Sequence, residues 1–320
     1  MDPSQQKGGS SLIQGGKEKK KEKKYYGKLL ILVIFIILSI EYYQYVFEVM
    51  LGYMTQKNFR LILTLLIIFH ALVLLLLMAF ISTMGTNPGE IPLYWGFYIG
   101  DDDYKRKRYC LICNAFKPER SHHCSVCNVC VLNMDHHCPW VDNCIGFYNR
   151  KYFIQLLTFV VVLTIYVDIT EIYFVIDMCL RLFKKYVKFS ELFHLGIVII
   201  SYVAVLIFSV VITMFYRFHL HLVLTNSTTI ESLDNEHKKE NEKFNIGKKQ
   251  NWEQVFGTEP LFWFVPFPTK SGRPEGDGLT WKTTENLSET GIKINDSKNK
   301  NIAASNYDTN YNSNNINPSS

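Results

Sequence analysis

The chain has 320 residues, of which 48% are hydrophobic and 20% charged, and its formal net charge is +5. These averages would fit one or two ordinary domains, but apolar residues lie in long runs, whereas charged residues gather at both ends and in one central stretch. Such segregation is typical of a membrane protein. A disulfide scaffold is excluded because seven of the eight cysteines lie among four histidines, a mixture typical of metal binding in a reducing compartment.

The first 28 residues form a basic segment that carries eight lysines. Runs of this kind can bind nucleic acid. This one directly precedes an apolar run, which favours contact with anionic lipid at a membrane surface. We therefore expect the lipid bilayer, and no nucleic acid, among the partners of this chain.

Four apolar segments are long enough to cross a bilayer, which takes about 20 helical residues. We interpret the first as a retained signal anchor, because it is too long for a signal peptide and no small-residue cleavage site follows it. The predicted fold class is an α-helical integral membrane protein with four transmembrane helices and a small cytosolic two-zinc domain between helices 2 and 3. The predicted spans are Leu29 to Met50, Leu61 to Ser82, Phe153 to Ile176 and Leu195 to Tyr216.

The predicted organisation follows from these spans. It comprises the basic segment at 1–28, helices 1 and 2 at 29–82, a cysteine-rich domain at 83–152, helices 3 and 4 at 153–216, a C-terminal region at 217–281 and a disordered asparagine-rich tail at 282–320.

Lysine and arginine counts predict the orientation of the spans. The N-terminal segment and the central loop are rich in basic residues, whereas the hairpin between spans 1 and 2 has only Lys57 and Arg60. The loop after span 3 carries four basic residues. These favour the opposite orientation but are outweighed by the basic residues of the N-terminal segment and the central loop. We expect both termini and the central loop to be cytosolic, in the Golgi or endoplasmic reticulum membrane, with the plasma membrane or another endomembrane as alternatives.

Four ionisable groups fall within the predicted spans, and interhelical hydrogen bonding is the favoured interpretation of them. They are Glu41, His70, Asp168 and Glu171.

The central loop contains two Cys-x2-Cys knuckles, which begin at Cys110 and Cys124 and are followed by the run Asp135-His136-His137-Cys138. A knuckle directs two thiolates at one zinc, whose tetrahedral shell then needs two further ligands. If each of two ions takes three cysteines and one histidine, one of the seven thiols is left over. Spacing alone does not say which, and the alternative is that every thiol is a ligand or a packing residue. Asp135 and His136 favour Cys138, because a histidine oriented by an aspartate can take a thiol proton.

From Tyr109 to Phe153 the chain resembles the cysteine-rich domain of the DHHC protein S-acyltransferases. Further similarity lies in Thr228-Thr229-Ile230-Glu231 and in the segment from Asn251 to Gly257, which resembles the C-terminal Asn and Val-Phe-Gly motif of that family.

The resemblance implies a palmitoyltransferase that carries the acyl group on Cys138, with His136 as base and Asp135 orienting it. It also implies two structural Zn²⁺ ions, with palmitoyl-CoA and membrane-associated proteins bearing cytosolic cysteines as substrates. The implied zinc ligands are Cys110, Cys113, His123 and Cys130 for one ion, and Cys124, Cys127, His137 and Cys144 for the other.

The phosphates of CoA need cations, and five basic residues near Cys138 are candidates. They are Lys117, Arg120, His122, Arg150 and Lys151. The competing functions are a non-catalytic membrane zinc adaptor and a RING-like or RNA-binding zinc module, and the second fits the spacing poorly.

Overall fold

The computed structural model describes residues 27–96, 108–184 and 189–289, and four long helices dominate it. Each is long and apolar enough to cross a membrane, and two groups of metal-ligating side chains lie between the second helix and the third. The predicted fold class is therefore confirmed. The helices are α1 (Gly27–Leu51), α2 (Phe59–Gly85), α3 (Arg150–Lys184) and α4 (Phe189–Leu224).

Each helix is longer than the apolar run that predicts it. The clearest case is α3, which begins at Arg150 rather than Phe153. Helical hydrogen bonding does not stop at the edge of an apolar run, and Arg150 and Lys151 are buried in protein, which stabilises this extra turn. At the other end of the bundle, the last turns of α1 widen into a π-helix over Gln44–Leu51.

An apolar cluster is buried at the end of the bundle where α1 and α3 terminate. We call this the far end of the bundle. Large apolar side chains on the outer faces, such as Ile67 and Ile200, are exposed, as expected of helices that contact lipid. The far-end cluster comprises Tyr45, Val46, Val49, Met50, Ile62, Leu66, Phe69, Phe174, Val175 and Val198.

Polar groups inside the bundle bond from helix to helix. The Gln44 amide donates to Glu171 at 2.8 Å, and Ser201 Oγ donates to Glu41 at 2.5 Å. Tyr42 and His70 join α1 to α2 at 2.8 Å. These contacts confirm the predicted interhelical bonding for Glu41, His70 and Glu171, because an unpaired polar group is costly inside a bilayer.

Residues 108–149 form the cysteine-rich module, which consists of three antiparallel two-stranded hairpins. In the second hairpin His123 pairs with Cys130, and in the third His137 pairs with Cys144. The strands are β1 (Tyr109–Cys110) with β2 (Ala115–Phe116), β3 (His122–Cys124) with β4 (Val129–Val131), and β5 (His136–Cys138) with β6 (Asn143–Ile145).

The C-terminal region returns to cover the end of the bundle that faces the module. Asn251 is fully buried and its amide donates to the carbonyl oxygen of Leu224, the last residue of α4. The Asn and Val-Phe-Gly motif therefore caps α4 with its asparagine. The helices of this region are α5 (Thr229–Leu233), α6 (Lys238–Asn241), α7 (Lys248–Phe256) and α8 (Thr284–Glu289).

The short helix α8 occupies Thr284–Glu289, within the first residues of the segment predicted as a tail from residue 282. The side chains of Trp281 and Thr283 are buried, and Thr283 Oγ1 accepts a hydrogen bond from the amide of Asn286. These contacts order the segment in spite of its polar composition. The remainder of the predicted tail and nearly all of the basic N-terminal segment lie outside the described residues.

Candidate active site and metal clusters

Two groups of four side chains in the cysteine-rich module are each arranged to hold one metal ion. Within each group, all the ligand atoms lie within 4.8 Å of one another. Their members coincide with the two ligand sets that the family resemblance implies. The groups are Cys110, Cys113, His123 and Cys130, and Cys124, Cys127, His137 and Cys144.

The spacing of these atoms fits a tetrahedral zinc shell. Zn–S and Zn–N bonds of about 2.3 and 2.0 Å give tetrahedron edges of roughly 3.6 Å. In the second group, His137 Nδ1 lies 3.4 Å from Cys127 Sγ and 3.6 Å from Cys144 Sγ. In the first, His123 Nδ1 lies 3.2 Å from Cys113 Sγ. Three thiolates and one imidazole are a usual donor set for structural zinc, so the residues fit the ion.

Cys138 lies outside both groups, at the end of β5, and is only 4% exposed. It belongs to a buried cluster with Phe153 of α3, Val223 of α4 and Val255 of α7. The module, the membrane bundle and the C-terminal region thus all contribute to the environment of this thiol. Cys138 is therefore a buried, unligated thiol at the junction of these parts.

His136 and Asp135 lie directly beside Cys138 in the arrangement that the sequence predicts. His136 Nδ1 is 2.7 Å from Asp135 Oδ2. Burial opposes protonation of the ring, but hydrogen bonds with Asp135 and Cys138 outweigh it and raise the pKa of His136 to about 9. The ring is therefore suited to accept and hold the proton of the neighbouring thiol.

The Asp135 carboxylate is 1% exposed and is held by groups from two other parts of the chain. Its Oδ1 accepts from the Thr229 amide at 3.0 Å, and its Oδ2 accepts from Thr229 Oγ1 at 2.7 Å. The guanidinium of Arg150 lies 3.5 Å away. Burial opposes ionisation, but the bond from His136 and the charge of Arg150 hold the pKa of Asp135 well below its usual range.

A further histidine, His219 of α4, packs against this pair. It is 2% exposed, its Nδ1 lies 3.9 Å from Asp135 Oδ2, and its ring centroid is 5.6 Å from that of His136. The rings of Phe153 and Phe215 enclose it at 5.0 and 4.5 Å. His219 therefore restricts the position of the His136 ring from the side of α4.

The Thr-Thr-x-Glu motif has a complete structural explanation. Thr228 and Glu231 form a capping box at the start of α5, in which each side chain accepts from the backbone amide of the other. This cap fixes the position of Thr229, whose amide and hydroxyl both bond to Asp135. The motif therefore positions the candidate catalytic aspartate.

Glu231 also forms a buried two-pronged ion pair with Arg120, at 2.7 and 2.8 Å. The Arg120 guanidinium lies over the rings of both Phe244 and Trp281, 4.4 Å from each centroid. A planar guanidinium suits both contacts. The pair joins the loop before the second hairpin to the C-terminal region.

We expect Arg120→Met to lower the free energy of unfolding by about 3–5 kcal/mol, because it leaves the Glu231 charge buried without its partner. Thermal unfolding of the detergent-solubilised protein measures the loss. The matched control is Arg273→Met, which changes an exposed arginine and should unfold like the wild type. Equal stability of the two variants would contradict the prediction.

The five cations predicted to contact CoA do not form one group. Three are buried and already bonded within the protein: Arg120 to Glu231, Arg150 to the carbonyl oxygen of Ser227, and Lys151 Nζ to that of Gly272 at 3.0 Å. Lys117 and His122 are half-buried. Burial and the charges of Arg108 and Lys117 lower the pKa of His122. Of the five, only Lys117 and His122 retain accessible side-chain surface.

Sequence reasoning missed three residues that support the Asp–His pair. Thr229 belonged to a motif without an assigned role, and Arg150 was considered only as a CoA contact. His219 falls just beyond the fourth predicted span and is therefore not among the ionisable groups predicted within the spans. A longer span, such as the observed α4, would have identified it.

Residues 103–236 match the DHHC palmitoyltransferase family. "Probable protein S-acyltransferase 13" of Arabidopsis thaliana is 33% identical over 250 residues, which cover 69% of this chain and 78% of the relative. "Probable protein S-acyltransferase 14" of the same plant is 32% identical over 245 residues, covering 68% and 78%. "Palmitoyltransferase ZDHHC20" of Homo sapiens is 32% identical over 183 residues, covering 56% and 47%. The chain therefore belongs to the DHHC palmitoyltransferase family and is a protein S-acyltransferase.

Proposed function

We propose that this enzyme moves a long-chain acyl group from acyl-CoA to cysteines of membrane-associated proteins, through a thioester on Cys138. The observation that carries the proposal is the position of Cys138, a buried thiol outside both metal clusters and beside an Asp–His pair. An adaptor that only recruits partners would not require this arrangement.

The first step is acylation of the enzyme. His136 takes the thiol proton, and Cys138 Sγ attacks the carbonyl carbon of the acyl-CoA thioester. The new C–S bond forms as the bond to CoA sulfur breaks, and CoA leaves as a thiol with the proton from His136. Thioester exchange is nearly isoenergetic, so the protein needs to supply proton handling and proximity.

The second step reverses the first with a different thiol. A substrate cysteine transfers its proton to His136 and attacks the acyl carbon on Cys138. Cys138 leaves and recovers the proton from His136. Asp135 accepts a hydrogen bond from Nδ1–H throughout, which leaves the opposite nitrogen, Nε2, to exchange protons with the reacting thiols.

Zinc is the metal we propose for both clusters, and its role is structural. Four protein ligands on each ion leave no position for substrate or water. His137 and Cys144 flank Cys138 in the third hairpin, so the second ion would fix the two strands that carry the nucleophile. The ligands of the second ion hold the third hairpin in place, whereas His136 transfers the proton.

The position of Cys138 supports a reaction at the membrane surface. It packs with the ends of α3 and α4 that face the module. A long acyl chain gains roughly 0.8 kcal/mol for each methylene that leaves water. We propose that the acyl tail lies among the four helices. The module would then face the cytosol, where CoA is available. The enzyme would reside in the Golgi or endoplasmic reticulum membrane. For the CoA phosphates, Lys117 is the predicted cation that keeps accessible surface, and His122 would contact them as a neutral hydrogen-bond donor, because its pKa is lowered.

The test is incubation of the purified protein with labelled palmitoyl-CoA. We expect a label on the enzyme that hydroxylamine removes and that Cys138→Ser loses entirely. The matched control is Cys179→Ser, which changes a cysteine of α3 that packs at the far end of the bundle and should keep the label. Absence of label on folded wild-type protein, or its survival in Cys138→Ser, would refute the proposal.

A further inference from the structure

The three hairpins of the cysteine-rich module repeat one another at a spacing of 14 residues. Cys110, Cys124 and Cys138 each end the first strand of a hairpin. The turns also correspond, because Asn114, Asn128 and Asp142 all adopt the left-handed conformation, with φ of 52°, 60° and 47°. The third hairpin, which carries Cys138, therefore repeats the strand ending and the left-handed turn residue of the two zinc knuckles.

Each metal cluster is assembled from two consecutive hairpins. The turn of one hairpin contributes two cysteines, and the paired strands of the next contribute one histidine and one cysteine. Three hairpins have only two such junctions. Two half-sites are therefore left without a partner: the strand half-site of the first hairpin and the turn half-site of the third.

The two unpartnered half-sites have other residue types at most of the positions where the metal clusters have ligands. In the first hairpin, Tyr109 and Phe116 occupy the strand positions and contact each other edge to face at 4.9 Å. In the third, Cys138 and Val141 occupy the turn positions. Of these four positions, only Cys138 retains a metal-ligating side chain.

Val141 replaces the second knuckle cysteine, and its surroundings differ accordingly. The amides of Cys113 and Cys127 donate to the sulfur of the first cysteine in their knuckles, at 3.5 and 3.3 Å. The Val141 amide donates instead to the carbonyl oxygen of Cys138 at 3.4 Å. The Val141 side chain is 1% exposed and shares one buried apolar cluster with Cys138.

We propose that the third hairpin is a zinc knuckle with its second thiolate position closed by Val141, and that Val141 keeps Cys138 out of a metal shell. A thiolate serves equally as a nucleophile and as a metal ligand, so it needs protection from zinc in a module built around zinc. Restoring the missing thiol by Val141→Cys would complete a two-thiolate half-site, with His136 available as a third ligand and water as a fourth. The role of Cys138 as nucleophile rests on the proposed function, whereas metal capture by the restored knuckle does not.

The experiment compares wild type, Val141→Cys, Val141→Ala and the double variant Val141→Cys/Cys138→Ser. All are full-length proteins purified with zinc and a phosphine reductant, which prevents a disulfide. Elemental analysis gives zinc per chain, and labelled palmitoyl-CoA gives thioester formation. We expect about two zinc in wild type and about three in Val141→Cys, with label reduced about tenfold or more. Both Val141→Ala and the double variant should hold about two zinc, and Val141→Ala should keep most of the label.

Three results would overturn the proposal. The first is a Val141→Cys protein that binds only two zinc ions, whether or not it still takes up label. Zinc would not then have bound Cys138. Another is a third zinc that persists in the double variant, which would place that ion elsewhere. The last is loss of label in Val141→Ala to the same degree as in Val141→Cys, which would make Val141 a packing residue only. A wild type without label would refute the proposed function, while the zinc counts would still test the knuckle.

Discussion

Replacing Asp135 with asparagine should slow acylation of Cys138 by about 10⁴-fold, the loss that follows when the aspartate of a catalytic triad is converted to its amide. The Thr229 amide needs the asparagine oxygen as its acceptor, so the NH2 group would face His136 Nδ1 and could not accept a hydrogen bond from it. The ring then loses the partner that fixes its tautomer. The charge that stabilises its protonated form is lost as well. The measurement is the single-turnover rate of label incorporation from palmitoyl-CoA.

The matched control for this variant is Asp142→Asn. Asp142 lies in the turn of the same hairpin with φ of 47°, a conformation that asparagine also adopts readily. We expect its acylation rate to be close to that of wild type. If Asp135→Asn acylates at a rate within tenfold of the control, Asp135 has no catalytic positioning role.

Loss of one zinc ligand from the second cluster should release that ion and abolish acylation. Structural zinc binds with about 10–16 kcal/mol, which is as large as the whole stability of a typical domain. In Cys124→Ser, the hairpin that carries Cys138 would lose the ion held by its own His137 and Cys144. We expect zinc to fall from about two to about one per chain, and the label to disappear.

Two controls separate this effect from general damage. Cys138→Ser should retain both ions, because Cys138 lies outside the clusters. Cys179→Ser, at the far end of the bundle, should retain both ions and the label. Two ions in Cys124→Ser would contradict the ligand assignment, and loss of an ion in Cys138→Ser would show that the nucleophile is a ligand.

The sequence is sufficient to predict those parts of the molecule that depend on local composition. An apolar run of about 20 residues has few alternatives to a membrane helix, because the bilayer offers its backbone no other hydrogen-bond partners. The two Cys-x2-Cys knuckles likewise predict metal clusters, since each places two thiols on one tight turn. The family resemblance then implied the remaining ligands, and the structure brings those same residues together.

The sequence could not predict contacts that depend on how distant segments meet. Thr229 is 94 residues from Asp135, and Arg120 is 111 residues from Glu231, so no local pattern indicates that either pair forms. Arg120 and Lys151 illustrate the consequence. Basic residues near a nucleophile suggest phosphate binding, yet both are buried and bonded to other parts of the protein.

Asn143 joins the third hairpin, which carries Cys138, to helix α2. Its side-chain amide lies within hydrogen-bonding distance of three carbonyl oxygens at the end of α2, those of Thr83, Met84 and Thr86, at 3.2, 3.1 and 3.0 Å. The last carbonyls of a helix have no partner within the helix, so the module itself completes α2. The third hairpin and the end of α2 therefore stabilise each other in the folded protein. We expect the cysteine-rich module not to behave as a portable domain, because without the membrane helices it would lack the α2 surface that its third hairpin contacts.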